Sequence, residues 1–256
     1  MEPIQNIKGV FFDLYGTLLI YGDMKAAWSN WLTAFFSRLV PLGLSLSQED
    51  FSKECDRFFG KDPPKNGKDG FTIFENRIHG LCDRLGLVPS MDEVSVIADH
   101  IAHVWQQQVR VDPDAATVLG ALKGLKVLAL VSNFDHPRHV NKVISHHQLT
   151  DFFQSIVISG DVGFHKPNPR IFDMALKQTG LAPSEVVYIG DTEEDVIASR
   201  TAGMIPFLIQ RPTNGTDQNT LDFNDENETG VLDSGHRFEV EVTKITSLKE
   251  LLHLIQ

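Results

Sequence analysis

An apolar run near the start of the chain ends in an acidic residue and a tight turn. Gly9–Phe12 leads directly into Asp13, and Gly16 and Thr17 follow within four positions. A carboxylate at the end of a buried strand, facing a glycine turn, is placed to act as a nucleophile or as a metal ligand. Thr17 could donate its hydroxyl to a substrate oxygen. Ordinary turn chemistry would also explain Asp13 and Thr17.

Two later segments carry residues that could bind an anion. Ser132 and Asn133 follow the apolar run Val127–Val131, and a hydroxyl with backbone N–H groups at a strand end can bind an anion. Lys166 lies between a glycine-rich turn and two prolines, just before a predicted helix. Such bracing suits an active-site lysine, because its point charge must stay close to an anion.

The fourth segment is an acidic cluster that follows the apolar run Val186–Ile189. Asp191 and Asp195 are four residues apart, so both carboxylates fall on one side of a turn that enters a helix. One of them could bind a metal while the other holds a lysine. Acidic residues also favour helix starts as capping groups, so that interpretation remains open.

Alternating strands and helices must position these residues. Buried parallel strands need not alternate in polarity, and we assign them to Gly9–Phe12, Val127–Val131, Ser155–Ile158, Val186–Ile189 and Ile205–Ile209. Helices are predicted between them at Asp114–Lys123, Pro137–His147, Pro169–Thr179 and Glu194–Ala202. This order predicts an α/β fold with a mostly parallel sheet. Ligands bind beyond the carboxyl ends of such strands, so Asp13, Ser132 and Asp191 are expected in one site.

A helical domain is predicted between the first and second strands, because about 100 residues are too many for a loop. We place the core domain at residues 1–19 and 112–256 and the inserted helical cap at residues 20–111. The predicted cap helices are Lys25–Leu39, Ser47–Phe59, Phe71–Leu85 and Met91–Val109, with Trp28, Trp31 and Phe35 in the cap core. Residues 212–236 are expected to form a mobile excursion before a strand at Arg237–Val242 and a helix at Leu248–Ile255.

The composition and net charge of the chain disfavour some classes of binding partner. The chain has 256 residues and a net charge of −11, which disfavours non-specific nucleic-acid binding. No apolar run reaches the roughly 18 residues of a membrane span, and no signal-peptide pattern is visible. Cys55 and Cys82 lack metal-ligand spacing and are interpreted as packing residues in a reducing compartment. We therefore expect a cytoplasmic protein without nucleic-acid or membrane partners, and the sequence does not indicate its oligomeric state.

Taken together, the four segments resemble those of the haloacid dehalogenase superfamily of hydrolases. The matching residues are Asp13-Leu-Tyr15-Gly-Thr17, Ser132-Asn133, Lys166 and Gly190-Asp191-Thr-Glu-Glu-Asp195, and the resemblance extends from Ile7 to Phe207. The position of the helical insertion is similar to that in the subgroup with a cap after the first strand. The resemblance implies a Rossmann-like core and a hydrolase that acts on a small molecule chosen by the cap.

The resemblance also implies roles for the reacting residues. Asp13 would be the nucleophile and would form a covalent aspartyl intermediate. Thr17, Ser132 and the backbone around Asn133 would bind the phosphoryl or carboxylate group of the substrate. Lys166 would neutralise the charge of the nucleophile and the substrate.

A magnesium site is implied in the same way. Asp191 would bind Mg²⁺ together with Asp13, and the backbone carbonyl of Tyr15 would supply a third protein ligand. Asp195 would hold Lys166 in place, or would support the metal without binding it directly.

Tyr15 departs from the pattern of the phosphatases in this superfamily. They usually carry an aspartate at this position, which protonates the leaving alkoxide and later activates water. A tyrosine, with a pKa near 10, is a poor substitute, and losing a positioned acid typically costs about 10²–10⁴-fold in rate. The Asp-x-Tyr-Gly-Thr-Leu form looks like that of 2-haloacid dehalogenases, whose halide leaves without a proton.

Asp191 points in the opposite direction. The dehalogenases work without metal, and an additional carboxylate beside Asp13 would repel an anionic substrate unless a cation were bound. A dehalogenase should also carry a halide-binding arginine in the cap, for which Arg38 and Arg77 are the candidates. The favoured hypothesis is therefore a Mg²⁺-dependent phosphatase; the alternatives are a metal-independent 2-haloacid dehalogenase and a catalytically degenerate protein that binds a ligand or partner.

Overall fold

The structure, a computed structural model, describes residues 6–56, 58–59, 68–212 and 242–255. The chain divides into two compact units. Among the described residues, one unit contains residues 6–21, 110–212 and 242–255, and the other lies within residues 22–109. Residues 213–236 of the expected excursion, and residues 237–241 of the strand predicted after it, lie outside the described residues.

Eight strands are assigned in the described part of the chain: β1 (Gly9–Phe12), β2 (Leu19–Tyr21), β3 (Val109–Val111), β4 (Val127–Ser132), β5 (Ser155–Ile158), β6 (Val186–Gly190), β7 (Ile205–Ile209) and β8 (Thr243–Ile245). Six of them form one sheet in the order β5-β4-β1-β6-β7-β8, and every pairing in that sheet is parallel. This arrangement confirms the predicted α/β fold. The short strands β2 and β3 pair separately.

The described α-helices are α1 (Met24–Leu39), α2 (Gln48–Glu54), α3 (Ile73–Arg84), α4 (Met91–Gln106), α5 (Ala115–Leu122), α6 (Pro137–His146), α7 (Ser159–Val162), α8 (Ile171–Thr179), α9 (Glu193–Thr201) and α10 (Leu251–Leu254). None of them is long and apolar enough to cross a membrane, as judged over the described residues.

The sheet unit buries its strands on both faces, as expected of a parallel sheet covered by helices. All four residues of β1 and all five of β6 are buried. On one face, Phe11 and Tyr188 pack with Ile171 and Phe172 of α8 and with Ala198 of α9. The continuous apolar runs seen in the sequence are therefore the central strands, and their ends are rigidly placed.

The helical unit consists of α1 to α4 around an aromatic core. Trp31 and Phe35 are fully buried and Trp28 packs against them, as predicted from their spacing. Capping boxes formed by Thr72 with Glu75 and by Ser90 with Glu93 define the starts of α3 and α4.

Two helix predictions extended too far. The predicted helix Ser47–Phe59 ends at Glu54, and the described residues after it form turns. The predicted helix Met91–Val109 ends at Gln106, and Val109 begins β3. The alternation Val109-Arg-Val111 fits a short strand, and the Gly22 N–H donates to the Gln108 carbonyl at 2.7 Å beside this pairing. Apolar spacing alone did not distinguish the last helical turn from the start of the strand.

Candidate active site

Asp13, Ser132 and Asp191 lie at the carboxyl ends of three adjacent strands. Asp13 follows β1, which lies between β4 and β6, and the Asp13 N–H donates to the Ile189 carbonyl at 2.8 Å. Ser132 ends β4, and Asp191 directly follows the end of β6. The sheet order thus brings together residues that are far apart in the sequence.

Lys166 forms the centre of a buried ionic network. Its ammonium lies 2.6 Å from Asp13 Oδ1 and 2.7 Å from Asp195 Oδ1, and it is only 4% exposed. Burial lowers the pKa of Lys166, but the two carboxylates outweigh it and hold the pKa above its ordinary value. The lysine is therefore a fixed positive charge at Asp13.

Asn133 holds the backbone that carries this lysine. Its side-chain Oδ1 accepts from the Lys166 N–H at 2.9 Å, and its Nδ2 donates to the Lys166 carbonyl at 3.0 Å. Both ends of the amide are thus engaged in bracing Lys166. The role of the Asn133 backbone in binding a substrate, which the sequence resemblance implies, stays a prediction.

Asp195 has both a structural and an electrostatic part in the network. Its Oδ2 accepts from the Thr192 N–H and hydroxyl in the capping box of α9, and its Oδ1 faces Lys166. Burial raises the pKa of Asp195, but Lys166 and the hydrogen bonds from Thr192 bring it below the ordinary value. Asp195 is therefore an ionised partner of the lysine as well as a helix cap.

Three carboxylates converge at this point with one ammonium between two of them. Ligand oxygens of Asp13, Asp191 and Asp195 all lie within 4.8 Å of one another. Burial, and then the neighbouring carboxylates, raise the pKa of Asp191 to about 8; burial outweighs Lys166 and raises the pKa of Asp13 to about 6. The cluster thus has an excess of negative charge that a cation would relieve.

Gly16 allows Asp191 to approach the turn after Asp13. Its φ of +88° lies in the left-handed region, and a Cβ at this position would overlap the Asp191 carboxylate. Gly190 is similar, because a Cβ there would overlap Asp195. Both glycines of the sequence motifs are therefore required by the close packing of the acidic residues.

Tyr15 is held by ring stacking beside the nucleophile. It is 8% exposed and stacks on Phe134 with ring centroids 5.0 Å apart. Burial, and then the charge of Asp13, raise the pKa of its phenol above the ordinary value. The hydroxyl of Tyr15 is thus an even weaker proton donor than a tyrosine in water.

Two buried hydroxyls at the site have no hydrogen-bond partner among the described residues. They are Thr17 Oγ1 and Ser132 Oγ, in residues that are 0% and 1% exposed. Leaving a buried hydroxyl unpaired is costly, so such groups point to a ligand that satisfies them. Both were selected from the sequence as anion-binding residues.

Tyr188 is a residue of the network that sequence reasoning missed. Its hydroxyl accepts from Lys166 Nζ at 3.0 Å and can donate to Asp195 Oδ1 at 3.1 Å or to the Val131 carbonyl at 3.0 Å. A tyrosine within the otherwise apolar run Val186–Ile189 was the available signal, because a buried phenol needs a polar partner.

The arrangement can support nucleophilic attack by Asp13 on an anionic electrophile. Lys166 offsets charge at the nucleophile, and the hydroxyls of Thr17 and Ser132 can donate hydrogen bonds to oxygens of a substrate. The fit of a divalent metal rests on the donor set, since hard cations prefer carboxylate and carbonyl oxygens. Asp13 and Asp191 supply such oxygens, and the negative excess of the cluster favours a cation.

Comparison with known proteins identifies the family of the chain and several relatives. A family model described as haloacid dehalogenase-like hydrolase matches residues 7–203. A glyceraldehyde 3-phosphate phosphatase of Methanopyrus kandleri is 30% identical, over 80% of this chain and 84% of its own length. An (S)-2-haloacid dehalogenase of a Pseudomonas species is 27% identical, over 81% and 84%.

Solved structures share the fold. A HAD phosphatase of Thermococcus onnurineus is similar with a TM-score of 0.61 and 19% identity, covering 96% of both chains. A 2-haloacid dehalogenase of Pseudomonas syringae has the same TM-score with 22% identity, covering 97% of both. Because both activities occur on equally similar structures, the fold does not distinguish between them.

Proposed function

Since the chain belongs to the haloacid dehalogenase-like hydrolases, we propose that it is a Mg²⁺-dependent phosphatase that acts on a small phosphorylated metabolite. The observation that carries this proposal is the cluster of Asp13, Asp191 and Asp195, whose ligand oxygens lie within 4.8 Å of one another. A metal-free enzyme for anionic substrates has no use for Asp191, because ionising a third carboxyl beside Asp13 and Asp195 is unfavourable without a cation. A relative named as a glyceraldehyde 3-phosphate phosphatase supports the substrate class.

In the proposed first step, a carboxylate oxygen of Asp13 attacks the phosphorus atom of the substrate. The bond from phosphorus to the leaving oxygen breaks, and the leaving group departs with the electron pair. Lys166 keeps Asp13 ionised and offsets the charge that approaches it. The hydroxyls of Thr17 and Ser132 bind the phosphoryl oxygens and so gain the partners they otherwise lack.

In the second step, water attacks the phosphorus atom of the aspartyl phosphate. Asp13 leaves as a carboxylate, phosphate is released, and the proton of the water passes to solvent. Asp13, Asp191 and the Tyr15 carbonyl would hold Mg²⁺, which would supply Lewis-acid stabilisation of the phosphoryl charge. We further propose that the unit within residues 22–109 serves as the cap that selects the substrate.

The activity can be tested with simple substrates. We expect phosphate release from p-nitrophenyl phosphate in Mg²⁺, loss of that release in EDTA, and its return with excess Mg²⁺. The matched assay measures halide release from L-2-chloropropionate in EDTA. Halide release without phosphatase activity would overturn the proposal, as would a phosphatase rate that EDTA does not change.

The raised pKa values of Asp13 and Asp191 predict that Mg²⁺ stabilises the fold more at high pH. Between about pH 4 and pH 8 the native carboxyls hold protons that the unfolded chain has released, so without metal the stability falls as pH rises through this window. Mg²⁺ replaces those protons. We expect its stabilisation, about 2.7 kcal/mol at 100 times Kd, to be fully present only above about pH 9 and to be smaller near pH 5.5.

Thermal unfolding with and without Mg²⁺ measures this effect, at about 2–4 °C per kcal/mol for a chain of this size. Asp191→Asn is the matched variant, because it removes the charge and keeps the shape. It should lose most of the Mg²⁺-dependent shift in Tm together with the Mg²⁺ dependence of the rate. A shift that is independent of both pH and Asp191 would contradict the proposed metal site.

A 2-haloacid dehalogenase is the second candidate, and Tyr15 is the observation that favours it. Attack by Asp13 on the halogen-bearing carbon needs no proton donor, so the raised pKa of Tyr15 would be harmless there. Of the arginines considered for halide binding, Arg77 is buried in the helical unit and donates to the Phe58 carbonyl at 3.4 Å. The carboxyl of Asp191, which a metal-free attack does not use, is the reason we place this function second.

A further inference from the structure

Arg211 connects three separate segments of the sheet unit. Its guanidinium donates to Asp112 Oδ2 through Nε at 3.0 Å and through Nη2 at 2.6 Å. It also donates to the Gly16 carbonyl at 2.5 Å and to the Thr17 carbonyl at 2.6 Å. Asp112 follows β3 and Arg211 follows β7, so residues 99 positions apart meet at the turn after Asp13.

We propose that Arg211, anchored by Asp112, is a positioning residue that holds this turn and thereby aims the Thr17 hydroxyl at the phosphoryl group of the substrate. The binding role of Thr17 rests on the proposed function, whereas the restraint on the turn does not. The guanidinium touches the backbone of the turn and is not assigned a contact with the substrate.

The turn gains from an external restraint because most of its internal hydrogen bonds converge on one atom, although the Gly16 N–H also donates to the Leu19 carbonyl at 2.7 Å. The Leu14 carbonyl accepts from the N–H groups of Thr17 at 3.4 Å, Leu18 at 2.9 Å and Leu19 at 2.8 Å. Thr17 is completely buried, and its hydroxyl has no partner among the described residues. A turn with an unsatisfied buried hydroxyl could lower its free energy by rearranging so that the hydroxyl finds a partner. The contacts of Arg211 oppose that rearrangement.

The geometry requires an arginine. A planar guanidinium can donate to a carboxylate and two carbonyl oxygens in fixed directions, whereas an ammonium is a compact point charge. Asp112 is only 5% exposed, and its Oδ2 accepts two of the donors, which fixes the plane of the guanidinium. The Gly16 carbonyl accepts from the same guanidinium, and the Asp191 carboxylate lies where a Cβ of Gly16 would be.

The matched control is a nearby ion pair that lacks these backbone contacts. Lys249 Nζ lies 2.7 Å from Asp114 Oδ1, and its side chain is 61% exposed. Lys249→Ala removes an ion pair two residues away from Asp112 in the sequence. Because exposed pairs of this kind contribute little, it should leave the turn and the rate unchanged.

The first experiment follows backbone hydrogen exchange of residues 14–19 by mass spectrometry in the full chain. We expect the amides of this segment to exchange at least about tenfold faster in Arg211→Lys and Arg211→Ala than in the wild type or in Lys249→Ala. Equal exchange in all four proteins would overturn the inference. This readout does not depend on activity, so it is separate from a failure of the phosphatase assay.

The second experiment is a double-mutant cycle with Thr17→Ala on p-nitrophenyl phosphate. We expect Arg211→Lys alone to lower kcat/KM by about tenfold or more, and to lower it much less when Thr17 is already alanine. Added guanidinium should partly restore Arg211→Ala. Fully additive effects would show that Arg211 does not act through Thr17 and would overturn the inference. Absence of phosphate release from the wild type would instead overturn the proposed function.

Discussion

Replacing Asp13 by asparagine is expected to lower phosphate release by at least about 10⁴-fold. The amide oxygen of asparagine is a poor nucleophile, and the change also removes the negative charge that lies 2.6 Å from Lys166. Steady-state release of phosphate from p-nitrophenyl phosphate in Mg²⁺ measures the effect. Since the substitution preserves the shape of the side chain, its circular dichroism and Tm should show a folded protein.

The control for this substitution is Asp173→Asn on the exposed side of α8. It makes the same chemical change away from the site and should leave the rate within about twofold of the wild type. A folded Asp13→Asn protein that retains most of the wild-type rate would remove Asp13 from the role of nucleophile.

Replacing Tyr15 by aspartate is expected to raise phosphate release from alkyl phosphates by about 10²-fold. The raised pKa of the Tyr15 phenol makes it a weak acid toward a leaving alkoxide, whereas a protonated aspartate at this position would be a stronger one. p-Nitrophenyl phosphate should gain much less in its first step, because a nitrophenolate leaves without protonation. The ratio of the two rates therefore isolates the missing acid.

Two further variants of Tyr15 separate the effect of the new acid from the effect of the space left by the tyrosine ring. Tyr15→Asn makes a similar cavity beside Phe134 without an acid, and Tyr15→Phe removes only the hydroxyl while keeping the stacked ring. Neither should raise the rate on alkyl phosphates. If Tyr15→Asp behaved like Tyr15→Asn, another group would already be supplying the proton.

Patterns in the sequence predicted the parts of the fold that depend on local composition. The apolar runs Gly9–Phe12, Ser155–Ile158 and Ile205–Ile209 are the strands β1, β5 and β7 with the same bounds. Continuous apolar runs identify strands that are covered on both faces, and the polar residues at their ends then share one edge. Val109, the first residue of the short strand β3, was assigned to a helix, because a strand of three residues carries too little periodicity to be recognised.

Long-range polar contacts could not be predicted in the same way. Lys166 and Asp13 are 153 residues apart, and only the packed sheet brings them to hydrogen-bonding distance. Two further contacts depend on side-chain direction, which composition does not determine. They are the hydrogen bond between the Asn133 amide and the Lys166 backbone, and the contact of the Arg211 guanidinium with the Asp112 carboxylate. Sequence reasoning did not select Tyr188, because a tyrosine in a buried strand is also common in an ordinary hydrophobic core.

The covalent intermediate on Asp13 offers the most direct test of the account. Tyr15 cannot activate water well, so with p-nitrophenyl phosphate the aspartyl phosphate should form quickly and break down slowly. We expect a burst of nitrophenolate in Mg²⁺, and borohydride reduction during that burst should convert Asp13 to homoserine, as detected by peptide mass spectrometry. Turnover with no burst and with Asp13 unmodified, or with the label on another residue, would contradict the account.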